Sequence, residues 1–321
     1  MEFKIINRIL GYIQMEILIN LISLIASLSL LVFLGERLID ASLRLARAFG
    51  VSSAVIGLTV LAYGTSLPEF AVSSIASVKQ HSGISVSNII GSNIYNIAVV
   101  LGAASIISPV IIKEKIFARR DGLIMLFAAF LLTFLAYLGT IGRLTGIIMA
   151  GFLVFYVYLI LKHDRVYGGI ESDKGISKIR ETVIVIILLA GVLIIGNFTV
   201  DSAVNLARSA GVSEWVIGAT IVAAGTSLPE TVVSIIAARK GEFSMSVGNI
   251  AGSNIFNILW ILGFASILNP LTINFSKVYL DITFLNLITI LFYAGLLKGR
   301  LTKGEGILYI AIYLSYIYYL L

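Results

Sequence analysis

The chain reads as an all-α polytopic membrane protein: ten transmembrane helices arranged as two inverted repeats of five. Three observations lead there. Of 321 residues, 59% are hydrophobic and only 12% charged, with a mean hydropathy of +1.02, the composition of a chain that crosses a bilayer several times. Apolar runs near the ~20 residues needed to span a bilayer recur along its whole length. Finally, the hexapeptide Gly64-Thr65-Ser66-Leu67-Pro68-Glu69 returns unchanged as Gly225-Thr226-Ser227-Leu228-Pro229-Glu230, 161 residues later.

Residues 1–15 mix Lys4 and Arg8 with apolar side chains and predict an interfacial extension. The run from Ile17 to Leu34 is long for a signal-peptide core and has a later counterpart, so it reads as the first span. Spans are expected near 17–39, 51–79, 84–108, 119–138 and 144–161, completing a first repeat over 1–161. Residues 162–181 are polar and form a linker too short for a soluble regulatory domain. The second repeat, 182–321, holds spans near 182–204, 213–239, 245–269, 278–297 and 305–321.

The repeats align without a gap through their centre. Asp40 matches Asp201, Gly50 matches Gly211, Ile56-Gly57 matches Ile217-Gly218, and Pro109 matches Pro270. Five spans is an odd number, so the second copy must lie upside down relative to the first. That is the plan of secondary transporters whose substrate sits at the midplane between repeats.

Loop charge sets the orientation. With both termini outside, 17 of the 23 Lys and Arg fall in cytoplasmic loops, among them Arg44, Lys113, Lys178, Lys240 and Lys298. Only Lys4, Arg8, Lys79, Arg143, Arg208 and Lys277 remain outside, as the positive-inside rule requires. The net charge of +6 therefore reports membrane orientation, not nucleic-acid binding. The expected location is the cell membrane. The absence of cysteine excludes disulfides and thiolate chemistry.

Each hexapeptide places a carboxylate inside an apolar run, where a charged residue costs about 2.5–3.5 kcal/mol and is functional by default. Pro68 and Pro229 lack an N–H and leave a carbonyl free one turn back. Two hydroxyls, freed carbonyls and a carboxylate make a cluster of hard oxygens suited to Ca²⁺ or Na⁺. In an unbroken helix Thr65 and Ser66 fall at i−4 and i−3 from Glu69, which brings their oxygens together. A second signature follows each hexapeptide: Asn88, Ser92 and Asn96, then Asn249, Ser253 and Asn257, are spaced i, i+4, i+8 along one helix stripe. Gly91 and Gly252 allow another backbone close. For Asn88, Asn93, Asn249 and Asn254 the second reading, ranked below an ion site, is polar packing between helices.

These paired GTSLPE and GSNIxNI signatures resemble the α-repeats of the sodium/calcium exchanger family, within the calcium/cation antiporter superfamily, over nearly the whole chain. The resemblance implies a Na⁺/Ca²⁺ antiporter working by alternating access, with no enzymatic activity and no cofactor. Its ion-coordinating positions carry over to Ala62, Thr65, Ser66, Glu69, Ser92 and Asn96. In the second repeat they fall on Ala223, Thr226, Ser227, Glu230, Ser253 and Asn257. In the family the two Glu bind Ca²⁺, while hydroxyls and carbonyls complete the Na⁺ sites. Some members, including the potassium-dependent branch, have Asp where Asn257 stands; two carboxylates instead of three imply K⁺-independent, electrogenic exchange. The rival within the same class is a H⁺/Ca²⁺ exchanger, whose Gly-Asn signature usually carries a Glu that this chain lacks. A cation channel is a more remote alternative and would need no inverted repeat. A membrane hydrolase is weaker still, since no His-rich or Ser/Lys arrangement lies in the spans.

Overall fold

The computed structural model describes residues 2–111, 115–167, 172–209, 211 and 223–320. Every long element in it is a helix. Helix α1 (Glu2–Phe49) runs without a break, so no separate interfacial helix precedes the first span. The chain continues through α2 (Ser53–Ile56), a π segment (Gly57–Leu61), α3 (Ala62–Thr65) and α4 (Leu67–Val78). Next come α5 (Ser82–Tyr95), a second π segment (Asn96–Leu101), α6 (Gly102–Ile107), α7 (Lys115–Leu138) and α8 (Arg143–Tyr167). The second half holds α9 (Lys178–Ser209), α10 (Ala223–Thr226), α11 (Leu228–Arg239) and α12 (Phe243–Phe256). A further π segment (Asn257–Leu262), α13 (Gly263–Leu268), α14 (Phe275–Lys298) and α15 (Lys303–Leu320) complete it.

Among the described residues, seven helical stretches are long and apolar enough to cross a membrane, and one pair bent by 47° makes an eighth. Ten were expected. One shortfall is α15, whose first turn carries Lys303 and Glu305 and whose tyrosines lower its hydropathy. The other is the expected span 213–239: residues 212–222, with the matched Ile217-Gly218, lie outside the described residues, as does Lys113. The linker is shorter than expected, because α8 runs to Tyr167 and α9 starts at Lys178.

Elements recur at the offset of the repeat. The break after Ser66 returns after Ser227, and the π segments at Asn96 and Asn257 begin 161 residues apart. Gly50 and Gly211 take φ of 65° and 80°, left-handed values that favour glycine just past the ends of α1 and α9. The stretches 82–107 and 243–268 form the centre, 72% and 83% buried, against 11% for the span of α1. Around them α1 packs along α9, and α7 along α14. The exposed Phe127, Phe130 and Phe134 on α7 and Ile148 and Phe155 on α8 make an apolar exterior, as a helix surface facing lipid requires.

Loops pair at both ends of the bundle. Val110–Ile111 pairs antiparallel with Arg300–Leu301, and Thr140–Ile141 with Leu271–Thr272. At the C-terminal end of α1, Arg44 meets Glu181 at 2.8 Å and the Asp173 N–H donates to the Arg47 carbonyl. The Lys240 ammonium donates to the Glu36 carbonyl at 3.0 Å and pairs with Asp40 at that same end.

Helix α12 lies against the first repeat's π segment at glycine-to-backbone distance. A Cβ on Gly252 would collide with the Leu58 carbonyl oxygen and come within 2.7 Å of the Ala62 Cβ. Here the expected close approach holds; a Cβ on Gly91 would meet nothing within 4 Å among the described residues. Gly252→Ala should therefore destabilise the fold by about 1–3 kcal/mol, the usual cost of overpacking. A lower melting temperature in detergent would show it; an unchanged one would mean that the backbones separate freely.

Candidate ion site

The two hexapeptides meet at the centre of the bundle. Each ends a short helix and starts the next, with Ser66 at φ −83°, ψ 11° and Ser227 at φ −91°, ψ 13°. Pro68 and Pro229 sit in the first turn of the following helix, where a missing N–H costs nothing. Glu69 and Glu230 then occupy the first turns of α4 and α11, and each is 0% exposed. A helix N-terminus favours a carboxylate there by its free N–H groups and dipole.

The serines cross between repeats. Ser66 Oγ donates to Glu230 Oε1 at 2.9 Å, and Ser227 Oγ donates to Glu69 Oε1, also at 2.9 Å. This corrects the expectation that each serine serves the Glu of its own hexapeptide. That spacing argument assumed an unbroken helix; the 47° bend ends the helix at Ser66 and turns its hydroxyl toward the other repeat.

Of the remaining predicted residues, Ser92 contacts one of these carboxylates, and Ser253 and Thr65 lie at the Ala62 carbonyl. Ser92 Oγ donates to Glu69 Oε1 at 3.4 Å, and Ser253 Oγ donates to the Ala62 carbonyl at 3.4 Å. Thr65 Oγ1 lies 3.5 Å from that carbonyl and 3.4 Å from Asn249 Oδ1. Asn96 and Asn257, both 0% exposed, begin the two central π segments, an irregularity common at functional sites. Thr226 and Ala223 close and open α10; the side chain of Ala223 is outside the described set. Asn88 and Asn249 have a packing role instead: their Nδ2 groups donate to Ser73 Oγ and Ser234 Oγ, each at 2.9 Å, tying α4 to α5 and α11 to α12.

Two residues outside the predicted set make four contacts at the centre. The Nδ2 of Asn93 donates to the Asn254 carbonyl and that of Asn254 to the Asn93 carbonyl, both at 3.2 Å. Their Oδ1 atoms accept from the other repeat's predicted ligand: Asn96 Nδ2 donates to Asn254 Oδ1 at 3.2 Å and Asn257 Nδ2 to Asn93 Oδ1 at 2.9 Å. The signal is present in the sequence, since an Asn precedes each predicted ligand Asn by three residues in both copies.

At this site four buried oxygens have no hydrogen-bond partner among the described residues: Glu69 Oε2, Glu230 Oε2, Asn96 Oδ1 and Asn257 Oδ1. All four are acceptors, and among the described residues no Lys, Arg or His pairs with either carboxylate. Buried charge without a partner is strongly unfavourable. Oxygens of this kind are the ligands that hard cations take.

A sequence profile of the family described as "Sodium/calcium exchanger protein" matches residues 19–162 and 181–321. This chain belongs to the sodium/calcium exchanger family. The sodium/calcium exchanger MaX1 of Methanosarcina acetivorans is 30% identical over 345 aligned positions, covering 94% of this chain and 98% of that protein. The sodium/potassium/calcium exchanger 2 of Gallus gallus is 34% identical over 123 residues, 35% of this chain and 19% of that protein. Among solved structures, the sodium-calcium exchanger NCX_Mj soaked with zero Na⁺ and Ca²⁺ superimposes with a TM-score of 0.82. It shares 33% identity and covers 95% of this chain and 100% of that one. The chain is thus a membrane-embedded cation exchanger, with the Na⁺/Ca²⁺ family's fold around the crossed carboxylates.

Proposed function

We propose that the protein is a Na⁺/Ca²⁺ antiporter whose ions bind at Glu69 and Glu230, with Thr65, Ser66, Thr226, Ser227, Ser92, Ser253, Asn96, Asn257 and the carbonyls of Ala62 and Ala223 completing the shell. The observation that carries this reading is the set of four unpartnered buried oxygens, two anionic and two neutral. Two carboxylates balance one Ca²⁺, and the neutral oxygens suit Na⁺. Coupling follows from competition: Ca²⁺ and Na⁺ need the same two Glu, so the loads exclude each other. The cargo is occluded, because Glu69, Glu230, Ser227, Ser253 and Asn257 are each 0% exposed. An apolar cavity of about 690 Å³ beside Gly64 and Leu67 adjoins the bend without opening to the carboxylates. Asn257 in place of a third carboxylate supports K⁺-independent exchange. The deciding experiment is ⁴⁵Ca²⁺ uptake by proteoliposomes under imposed Na⁺ or H⁺ gradients.

Ten spans in two inverted repeats are part of the same reading, with both termini outside. Loop pairing supports it: the paired loops at 110–111 and 300–301 are both expected inside, and those at 140–141 and 271–272 both outside. Lys240 meets α1 at the end expected inside. Single cysteines at Lys79 and at Lys240, equivalent positions of the two copies, should label from opposite faces of sealed vesicles. Labelling of both from one face would refute the inversion. The lack of native cysteine leaves no background.

A further inference from the structure

We infer that Asn93 and Asn254 are positioning residues that hold the ligand amides of Asn257 and Asn96 oxygen-first toward the ions. This rests on the proposed exchange site and adds to it the device that sets the sign of its neutral ligands. An amide presents an acceptor at one end and two donors at the other. Only the oxygen end can bind a cation, and a flipped amide would repel one.

The orientation follows by steps from two backbone carbonyls. A carbonyl only accepts, so the Asn254 carbonyl must meet Nδ2 of Asn93, and the Asn93 carbonyl must meet Nδ2 of Asn254. That directs Oδ1 of Asn93 and of Asn254 toward the ligand pair. Those oxygens in turn accept only, so Asn257 and Asn96 must each approach with Nδ2. What remains is Oδ1 of Asn257 and of Asn96, the unpartnered atoms. No step depends on a side-chain flip chosen freely, since each amide's orientation is inherited from main chain. The four side chains are between 0% and 1% exposed, shut off from bulk water. Each lock crosses the repeats: the ligand of one copy is oriented by the other copy's Asn.

The consequence is a dependence that only an oriented amide shows. Asn93→Ala removes the acceptor for Asn257 Nδ2 and frees that amide to turn, which should weaken Ca²⁺ about tenfold, the worth of one buried hydrogen bond of preorganisation. A carboxylate has two acceptor ends and needs no orienting. In an Asn257→Asp background Asn93 Oδ1 would face a second acceptor, so the same Asn93→Ala change should cost no Ca²⁺ affinity. The mirror pair, Asn254→Ala with and without Asn96→Asp, should behave alike. The experiment is a Ca²⁺ titration of the purified full chain followed by thermal shift, which needs no turnover, with KM and maximal rate of ⁴⁵Ca²⁺ uptake measured on the same variants. The expected result is a tenfold higher midpoint and KM for Asn93→Ala alone, and no loss when the change is made in the Asn257→Asp background. Equal losses in both backgrounds would make Asn93 a packing residue and overturn the proposal, as would no loss in either. A parent protein whose melting temperature ignores both Ca²⁺ and Na⁺ would instead overturn the ion site itself.

Discussion

Glu69→Gln and Glu230→Gln should each abolish Ca²⁺ uptake without impairing the fold. A glutamine keeps the oxygen that accepts from Ser227 or Ser66, so the crossed serine contacts at 2.9 Å can persist. It replaces the unpartnered Oε2 with an NH₂ group, which removes one negative charge and points donors at the cation. Taking one member from a buried charge pair costs about 2–5 kcal/mol, a loss of roughly 30-fold to several thousand-fold in affinity. The ion-free protein should not suffer, because a neutral amide is cheaper to bury than an unpaired carboxylate. The measurement is ⁴⁵Ca²⁺ uptake together with melting temperature, with and without Ca²⁺. The parent should gain about 2.7 kcal/mol of stability at a hundred times its Kd, and the variants almost none. Uptake near the parent rate in either variant would remove that Glu from the site.

The fold was legible in the sequence where composition and repetition are strong, and the site where chemistry is confined to few residue types. Apolar runs announced the spans, and the 161-residue offset announced that Ser66 and Ser227, or Asn96 and Asn257, would play matched parts. Three things could not be read. The serine crossing depends on a bend of 47°, and a spacing rule that assumes a continuous helix points Ser66 at the wrong Glu. The π segments at Asn96 and Asn257 leave no mark in composition, because widening one turn requires no particular residue. Asn88 and Asn93 look alike in sequence, both polar and both duplicated. Only their partners separate a strut to Ser73 from an amide that orients a ligand. The last helix shows the opposite problem: its tyrosines and Glu305 make it a weak span by hydropathy, and its place in the count rests on the repeat.

Ca²⁺ uptake should be driven by an outward Na⁺ gradient and should persist when a protonophore collapses the pH difference. The kinds of oxygen the site holds separate the two driving ions. A proton needs only a carboxylate, and for that purpose Glu69 and Glu230 would suffice. The site also gathers the hydroxyls of Ser66, Ser227, Ser92 and Ser253 and two unpartnered amide oxygens. Such a neutral shell is what Na⁺ needs to replace its water, and it would be superfluous in a proton exchanger. With two fixed negative charges, one Ca²⁺ is balanced, and more than two Na⁺ in return carry net charge. Uptake should then respond to membrane potential, at about 2.3 kcal/mol per elementary charge moved through 100 mV. Acid should inhibit from either side, since protonating either carboxylate removes a ligand that both cations use. Added K⁺ should leave the rate unchanged, because Asn257 supplies no third carboxylate. Proteoliposomes loaded with Na⁺ should take up ⁴⁵Ca²⁺ at least tenfold faster than Na⁺-free ones at equal pH, and a positive interior should speed uptake, because more than two Na⁺ leave for each Ca²⁺ that enters. Uptake that requires a pH gradient and ignores Na⁺ would assign the protein to proton exchange.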